Sequence, residues 1–271
     1  MINLLIGNAV LIAVCMVTLW LLSILLRDVS IVDLFWGLGF VLVAWNTCWN
    51  AGEWSFRAPS NALLPLLVSV WGLRLTGHLA IRNIGHGEDK RYVAMRAARP
   101  GTFWWQSLLI VFGLQGVVMW LVALPLQTGI LQPVAGWHWQ HFLGLLLWGI
   151  GFFFEAVGDW QLMRFRRNPV NRGRVLDRGL WRYTRHPNYF GDFCVWWGLF
   201  VVSTAHGVHL WTVLSPLLMS LFLIKVSGVT LLESTLVEKP DYADYIRRTN
   251  AFFPGPRQTS AETDRSQGAI S

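Results

Sequence analysis

The chain has 271 residues, of which 54% are hydrophobic and only 14% charged, with 17 Trp. Soluble domains carry about 25% charged residues, so this composition excludes a protein wetted on all sides. The formal charge of +7 does not mark a nucleic-acid binder, because the basic residues fall between long apolar runs rather than on one face.

The first run, Ile2–Leu26, has no basic leader and no small-residue cleavage site. It is longer than a signal-peptide core, so an uncleaved first span is expected. Ile31–Asn50, Ala62–Ile81, Phe103–Leu126, His138–Met163, Tyr189–Thr204 and Val208–Leu232 follow, each of a length that suits a membrane span. The sixth run is short and is parted from the seventh only by Ala205-His206-Gly207, so these two could instead form one re-entrant hairpin. The reading is an all-α integral membrane protein with about seven transmembrane helices. In that arrangement 19 of the 22 Lys and Arg fall on one face, the opposite loops hold only Arg57, and Arg74 and Lys225 lie inside spans. Positive loops stay in the cytoplasm, which puts the N-terminus outside and the C-terminus in the cytoplasm. Residues 1–256 read as a single membrane domain, and the polar tail 257–271 as disordered and without function. Cys15, Cys48 and Cys194 stand singly in apolar stretches and read as small core hydrophobes, with no metal site expected.

Ionisable groups inside apolar spans are costly and mark candidate sites. Here they are Asp33, Arg74, His78, Glu155, Asp159, Asp192, Lys225 and Glu233. Glu155 and Asp159, four residues apart, stack on one helical face. Such a pair suits ribose hydroxyls or an amide, or a structural pairing with Arg166 or Arg185. Arg74 shares a face with His78 and needs a partner; Asp33 offers one, as a structural clamp or as part of a substrate contact. The densest segment, Arg164 to Asp192, holds eight Arg and no Lys. Arg grips phosphate with a planar fork, whereas topology alone is served equally by Lys. The alternative for this loop is contact with anionic lipid headgroups.

Arg185-His186-Pro187-Asn188-Tyr189-Phe190-Gly191-Asp192, preceded by Gly179-Leu180-Trp181-Arg182-Tyr183, resembles the C-terminal signature of the steroid 5α-reductase and sterol reductase superfamily. Glu233, Tyr242, Tyr245 and Phe253-Pro254 fit the same pattern. Upstream, the segments Ser30 to Gly37, Trp71 to Leu75 and Gly87 to Tyr92 resemble its bacterial branch, a domain of unknown function (DUF1295). The resemblance covers residues 28–256. Isoprenylcysteine carboxyl methyltransferases share the Arg-His-Pro-x-Tyr element and the C-terminal pattern. The reductase resemblance implies NADPH as cofactor, held at Asp159, Arg166, Arg174, Asn188 and Asp192. Glu155, Arg185, His186, Tyr189 and Glu233, from the same elements, complete the expected cofactor-binding set. The chain departs from the superfamily in carrying Glu155 where an Asn is usual. It also lacks the Gln-Glu pair of the second span, and Trp71 stands at the position of a substrate-binding Tyr.

The expected activity is NADPH-dependent reduction of a carbon–carbon double bond conjugated to a carbonyl in a lipophilic, steroid-like, isoprenoid or other lipid substrate. Asp33, Arg74 and His78 are the candidates to polarise the carbonyl, with Tyr92 and Tyr189 as proton donors. The rival is a membrane methyltransferase using S-adenosylmethionine on a lipophilic acceptor, and a third class is a non-enzymatic lipid-binding or transport protein. The branch resemblance implies a bacterial inner membrane with the cofactor site on the cytoplasmic side. Membrane lipids and a lipophilic small molecule are the expected partners, and nucleic acid is not.

Overall fold

A computed structural model of the chain describes residues 1–51, 59–132, 134–207, 209–226 and 240–258. Among these residues the regular structure is helical throughout, with no β-strand. The helices are α1 (Ile2–Leu26), α2 (Ile31–Asn50), α3 (Pro59–Asn83), α4 (Lys90–Ala98), α5 (Phe103–Val122), α6 (Leu124–Leu131), α7 (Trp139–Arg167), α8 (Pro187–Ser203), α9 (Leu214–Leu221) and α10 (Pro240–Arg248). Five of them, α1, α2, α3, α5 and α7, are long and apolar enough to cross a membrane. The protein is therefore an integral membrane protein of all-helical class.

The expected runs correspond to these helices with three differences. The fourth run does not continue to Leu126: the chain turns at Ala123, and Pro125 sits in the first turn of α6, where a missing N–H costs nothing. Every residue of α6 from Leu124 to Ile130 is buried. The sixth run is a helix of 17 residues. The seventh starts as a tight 3₁₀ turn at Leu210–Val213, becomes α9, and widens to a π turn at Phe222–Val226. Between the sixth and seventh runs, Gly207 and His209 both take positive φ, at 66° and 70°. The end of the seventh run (227–232), Arg57, Glu233, Lys239 and the tail from 259, with Arg265, lie outside the described residues.

The chain forms two compact units, Met1–Gly144 with Leu199–Ser215, and Leu145–Gly198 with Pro216–Ser271. In the first unit, α2 and α3 form the most extensive helix pair. Lipid gives helices no hydrophobic reason to associate, so close backbone approach and internal hydrogen bonds must do so. Gly37 and Gly72 meet backbone to backbone, and a Cβ on either one would collide with the other's carbonyl. Beside this crossing Trp71 and Phe40 are fully buried, with ring centroids 5.9 Å apart. A second tie joins α1, α2 and α6. Asn8, fully buried, donates its Nδ2 to Thr47 Oγ1 (2.8 Å) and Gln127 Oε1 (2.9 Å), while its Oδ1 accepts from Asn46 Nδ2 (2.7 Å). An amide in an apolar interior costs a few kcal/mol unless it is bonded, and here both of its ends are engaged.

In the second unit, Gly151 of α7 and Gly191 of α8 repeat the glycine contact: a Cβ on Gly191 would strike the backbone of Glu155 and of Gly151. One turn further, Gly158 lies against Pro187 and Asn188. α7 and α8 are thereby held at a spacing that only glycine permits, with the functional residues of both helices beside the seam.

Gly77, also on α3, has open space where its Cβ would be, which makes it an internal control for Gly72. Gly72→Ala is expected to lower stability by about 1–3 kcal/mol through overpacking. Gly77→Ala is expected to leave it unchanged or raise it slightly on helix propensity. Thermal unfolding of the two variants in detergent measures the difference.

Candidate functional site

The first unit gathers a polar cluster where α2 begins and α4 begins. Asp33, in the first turn of α2, accepts from Tyr92 hydroxyl on Oδ1 (2.9 Å) and from Arg91 Nη2 on Oδ2 (3.0 Å). Gln115 of α5 donates its Nε2 to the Tyr92 oxygen (3.1 Å) and lies 3.5 Å from Asp33 Oδ1. Asp89 caps α4 by accepting from the Arg91 backbone N–H (2.9 Å) and also takes the Arg91 Nε (3.1 Å). Its own N–H donates to Ser30 Oγ (2.7 Å). Glu88 accepts from the Val29 N–H (2.9 Å) and grips Arg96 through two bonds of 3.0 and 2.7 Å, the bidentate geometry that makes such pairs strong. The segments Ser30 to Gly37 and Gly87 to Tyr92, separate in sequence, are therefore one structural element.

The surroundings in this cluster shift the acidity of two of its members. Burial, followed by the charge and hydrogen bond of Asp33, holds the Tyr92 phenol well above its ordinary value. At Asp89, burial alone raises the carboxyl, but the side-chain and backbone hydrogen bonds from Arg91 outweigh it and leave the group below its usual range. Tyr92 is thus favoured as a neutral hydroxyl, with its proton donated to Asp33, over a phenolate.

The second unit builds its cluster along the α7–α8 seam. Glu155 and Asp159 are buried, and Asn188, the second residue of α8, donates its Nδ2 to Asp159 Oδ1 (3.1 Å). His186 is buried and stacks on Tyr189 with rings nearly parallel, 5.5 Å between centroids. The basic loop folds against α7 through Trp181 Nε1, which donates to Gly158 carbonyl (3.1 Å), and the Leu180 N–H, which donates to Gln161 Oε1 (3.0 Å). It also holds the segment that follows α10. Arg185 donates its Nη1 to the carbonyls of Ile246 (3.0 Å) and Thr249 (2.6 Å), and its N–H to that of Asn250 (2.9 Å). Tyr245 hydroxyl donates to Trp181 carbonyl (2.5 Å), Thr184 Oγ1 to Phe252 carbonyl (2.8 Å), and Arg257 pairs with Asp177 (2.9 Å). Phe190, Phe193, Phe252 and Phe253 close the contact as an aromatic cluster.

Of the expected catalytic residues, the structure joins Asp33 and Tyr92 directly. Arg74 and His78 are half-buried and one turn apart on α3, and both are engaged in interactions. Of the expected cofactor residues, Asp159 and Asn188 are in contact, Glu155 is one turn away, and Asp192 is one turn further along α8. Arg166 and Arg174 are exposed. Arg185, also in the expected cofactor set, is buried and holds backbone carbonyls. Sequence reasoning missed Arg91 and Gln115. The Gly87 to Tyr92 element contained the first. A lone amide inside the run Phe103–Leu126 was the signal for the second.

The fold and these clusters define a polytopic α-helical membrane protein with intramembrane polar sites. The family model described as "Protein of unknown function (DUF1295)" matches residues 19–249, and the chain belongs to that family. An uncharacterized protein of Schizosaccharomyces pombe is 24% identical over 267 residues, covering 87% of this chain and 75% of that protein. A probable O-methyltransferase of Ustilaginoidea virens is 34% identical over 53 residues, 20% of this chain and 18% of that protein. No solved structure matches.

Tyr92 has its folded-state value raised, so the stability it contributes is intact below its unfolded value of about 10 and is lost as pH rises above it. Ultraviolet titration of the tyrosines is expected to show a fraction that ionises only well above that pH, and Tyr92→Phe is expected to shrink that fraction by one phenol.

Proposed function

We propose that the chain is a membrane-bound, NADPH-dependent reductase of a carbon–carbon double bond conjugated to a carbonyl in a lipophilic substrate. The observation that carries this reading is the Asn188–Asp159 contact of 3.1 Å at the α7–α8 seam, beside a loop in which seven of eight arginines are exposed. A carboxylate and a carboxamide side by side offer an acceptor and a donor to ribose and amide groups, and exposed guanidinium forks suit phosphates. The donor set thus fits NADPH, with Asp159, Asn188 and Asp192 toward its sugar and amide and Arg166 and Arg174 toward its phosphates. The resemblance of Gly179 to Tyr183 and of Arg185 to Asp192 to steroid 5α-reductases supports the same assignment. The remaining expected positions are Glu155, His186, Tyr189 and Glu233; Arg185 we place instead as the residue that holds the segment after α10.

When bound, NADPH supplies a hydride to an electron-poor carbon. Within the first unit, the proposed donor to a substrate carbonyl oxygen is the Tyr92 hydroxyl, which would turn its single proton from Asp33 Oδ1 to that oxygen as negative charge develops there. Asp33, Arg91 and Gln115 hold the phenol in place. The new C–H bond forms at the β-carbon, the π pair shifts to the oxygen, and protonation of the α-carbon completes the saturated product. A fixed donor in a dry site contributes about 3–4 kcal/mol to such an oxyanion. Arg74 and His78 are further candidates for polarising the oxygen, and Tyr189 for the proton.

The proposed topology is seven spans with the N-terminus outside. The charge distribution supports it: within the first unit the ion pairs of Asp33 and Glu88 lie at the α1–α2 turn, and the neutral amides around Asn8 lie at the other end of the same helices. The bacterial inner membrane is the proposed location. A membrane methyltransferase is the second reading, favoured by the 53-residue likeness to a probable O-methyltransferase.

Calorimetry on the purified chain in detergent, with NADPH, NADH and S-adenosylmethionine in turn, separates the two. NADPH binding that weakens roughly tenfold in Asn188→Ala and in Arg174→Gln is the expected result. Binding of S-adenosylmethionine alone overturns the reductase. Tyr92→Phe is expected to lower turnover of an enone substrate by about 10²–10⁴-fold with NADPH affinity unchanged; equal loss of both refutes its role as donor.

A further inference from the structure

α7 carries two functional faces. Successive helical residues turn by roughly 100°, which puts Glu155 and Arg166 within roughly 40° of Asp159 and places Arg164 roughly 140° away. On that opposite face lies a cleft of about 460 Å³, within the range of about 300–1,000 Å³ typical of ligand sites. Trp160, Arg164 and Phe165 of α7 line it, and Asn168, Leu176 and Arg178 of the following loop close it. It is not part of the Asp159–Asn188 seam.

Its chemistry is that of an anion with an apolar attachment. Arg164 and Arg178 are exposed, neither has an ion pair among the described residues, and no acidic side chain lines the cleft. The Arg164 guanidinium lies 5.4 Å from the centroid of the Trp160 ring, which orients the charge without neutralising it. Asn168 uses its Oδ1 on the Val170 N–H (3.1 Å), so its amide hydrogens remain to donate. Phe165 and the buried Leu176 supply the apolar wall.

The helix also fixes the depth of the cleft. Trp139, at the start of α7, and Trp160 are both exposed, at 66% and 50%. Their separation along the helix is about 32 Å, close to the roughly 30 Å of a bilayer's hydrocarbon core. Exposed tryptophans at that spacing mark the two interfaces. Arg164 is one turn beyond Trp160, at the level of lipid phosphates.

We propose that this cleft binds the phosphate of an anionic phospholipid, gripped by Arg164 and Arg178, with the glycerol and upper acyl carbons along Trp160 and Phe165. A soluble phosphate ester offers the same chemistry, but the depth of the site favours the lipid. The proposal is independent of the reductase reading, because it needs neither NADPH nor turnover.

The test is lipid retention by the full chain, transferred from detergent to nanodiscs of phosphatidylcholine with a minor fraction of phosphatidylglycerol and read by native mass spectrometry. The double variant Arg164→Gln with Arg178→Gln is expected to lose roughly tenfold or more in retained phosphatidylglycerol, since two charge-assisted contacts are removed. Arg167→Gln with Arg172→Gln removes the same charge from the same loop and is expected to change retention less than about twofold. Inorganic phosphate is expected not to displace the lipid; displacement by phosphate overturns the lipid as occupant and makes the site one for soluble phosphate compounds. Equal loss in the two double variants overturns the site in favour of diffuse surface charge. A loss of NADPH affinity in the first variant with lipid retention intact assigns the cleft to the cofactor and also overturns the proposal.

Discussion

The rest of this structure depends on two places where helices approach without side chains between them. In lipid there is no water to expel, so helices hold together only where atoms fit closely or polar groups bond. Gly37 against Gly72 brings α2 to α3, and Gly151 against Gly191 brings α7 to α8. The second contact places the Glu155–Asp159 face beside Asn188, and the 3.1 Å bond between Asn188 and Asp159 follows from that spacing. Gly191 lies inside the Arg185 to Asp192 element and within the sixth apolar run. Its work is to let two backbones touch.

What the glycines bring near, hydrogen bonds then fix. Asp33 at the start of a span is an expensive group unless it is paired, and it is met by Arg91, Tyr92 and Gln115 from two other helices. Asn8 is met by Thr47, Asn46 and Gln127. The two networks differ in kind, one charged and one neutral. Each ties elements that the chain visits far apart, so losing one member leaves its partners buried without bonds.

The membrane class and the long spans were legible because composition and run length respond directly to a hydrocarbon core. The break at Ala123 was not, because Leu121 to Leu126 is apolar on both sides of it and hydropathy carries no directional information. α4 is short, polar and held by Asp89, Glu88 and Ser30, contacts that no periodicity announces. Asp33, Tyr92, Asp159 and Asn188 were found because charge or motif singled them out. Gln115 was passed over as a neutral residue in an apolar run. Arg164 and Arg178 were seen only as part of a charge count, since which face of α7 a cleft occupies is decided by the loop that closes it. The contacts of Arg185 with the carbonyls of Ile246 and Thr249 have no signature in sequence: every residue has a carbonyl.

That last contact bears on how the protein is made. Arg185 and Thr249 are separated by 64 residues, and at about 5–20 residues per second a ribosome needs roughly 3–13 s to supply them. Through that interval the first spans have left the ribosome, while the guanidinium that is buried in the finished protein has none of its α10 carbonyls to hold. The basic loop therefore waits for residues 246–250 to be made. A chain cut short before residue 246 never closes this clasp, so the fold of the basic loop is completed only after α10 has been made.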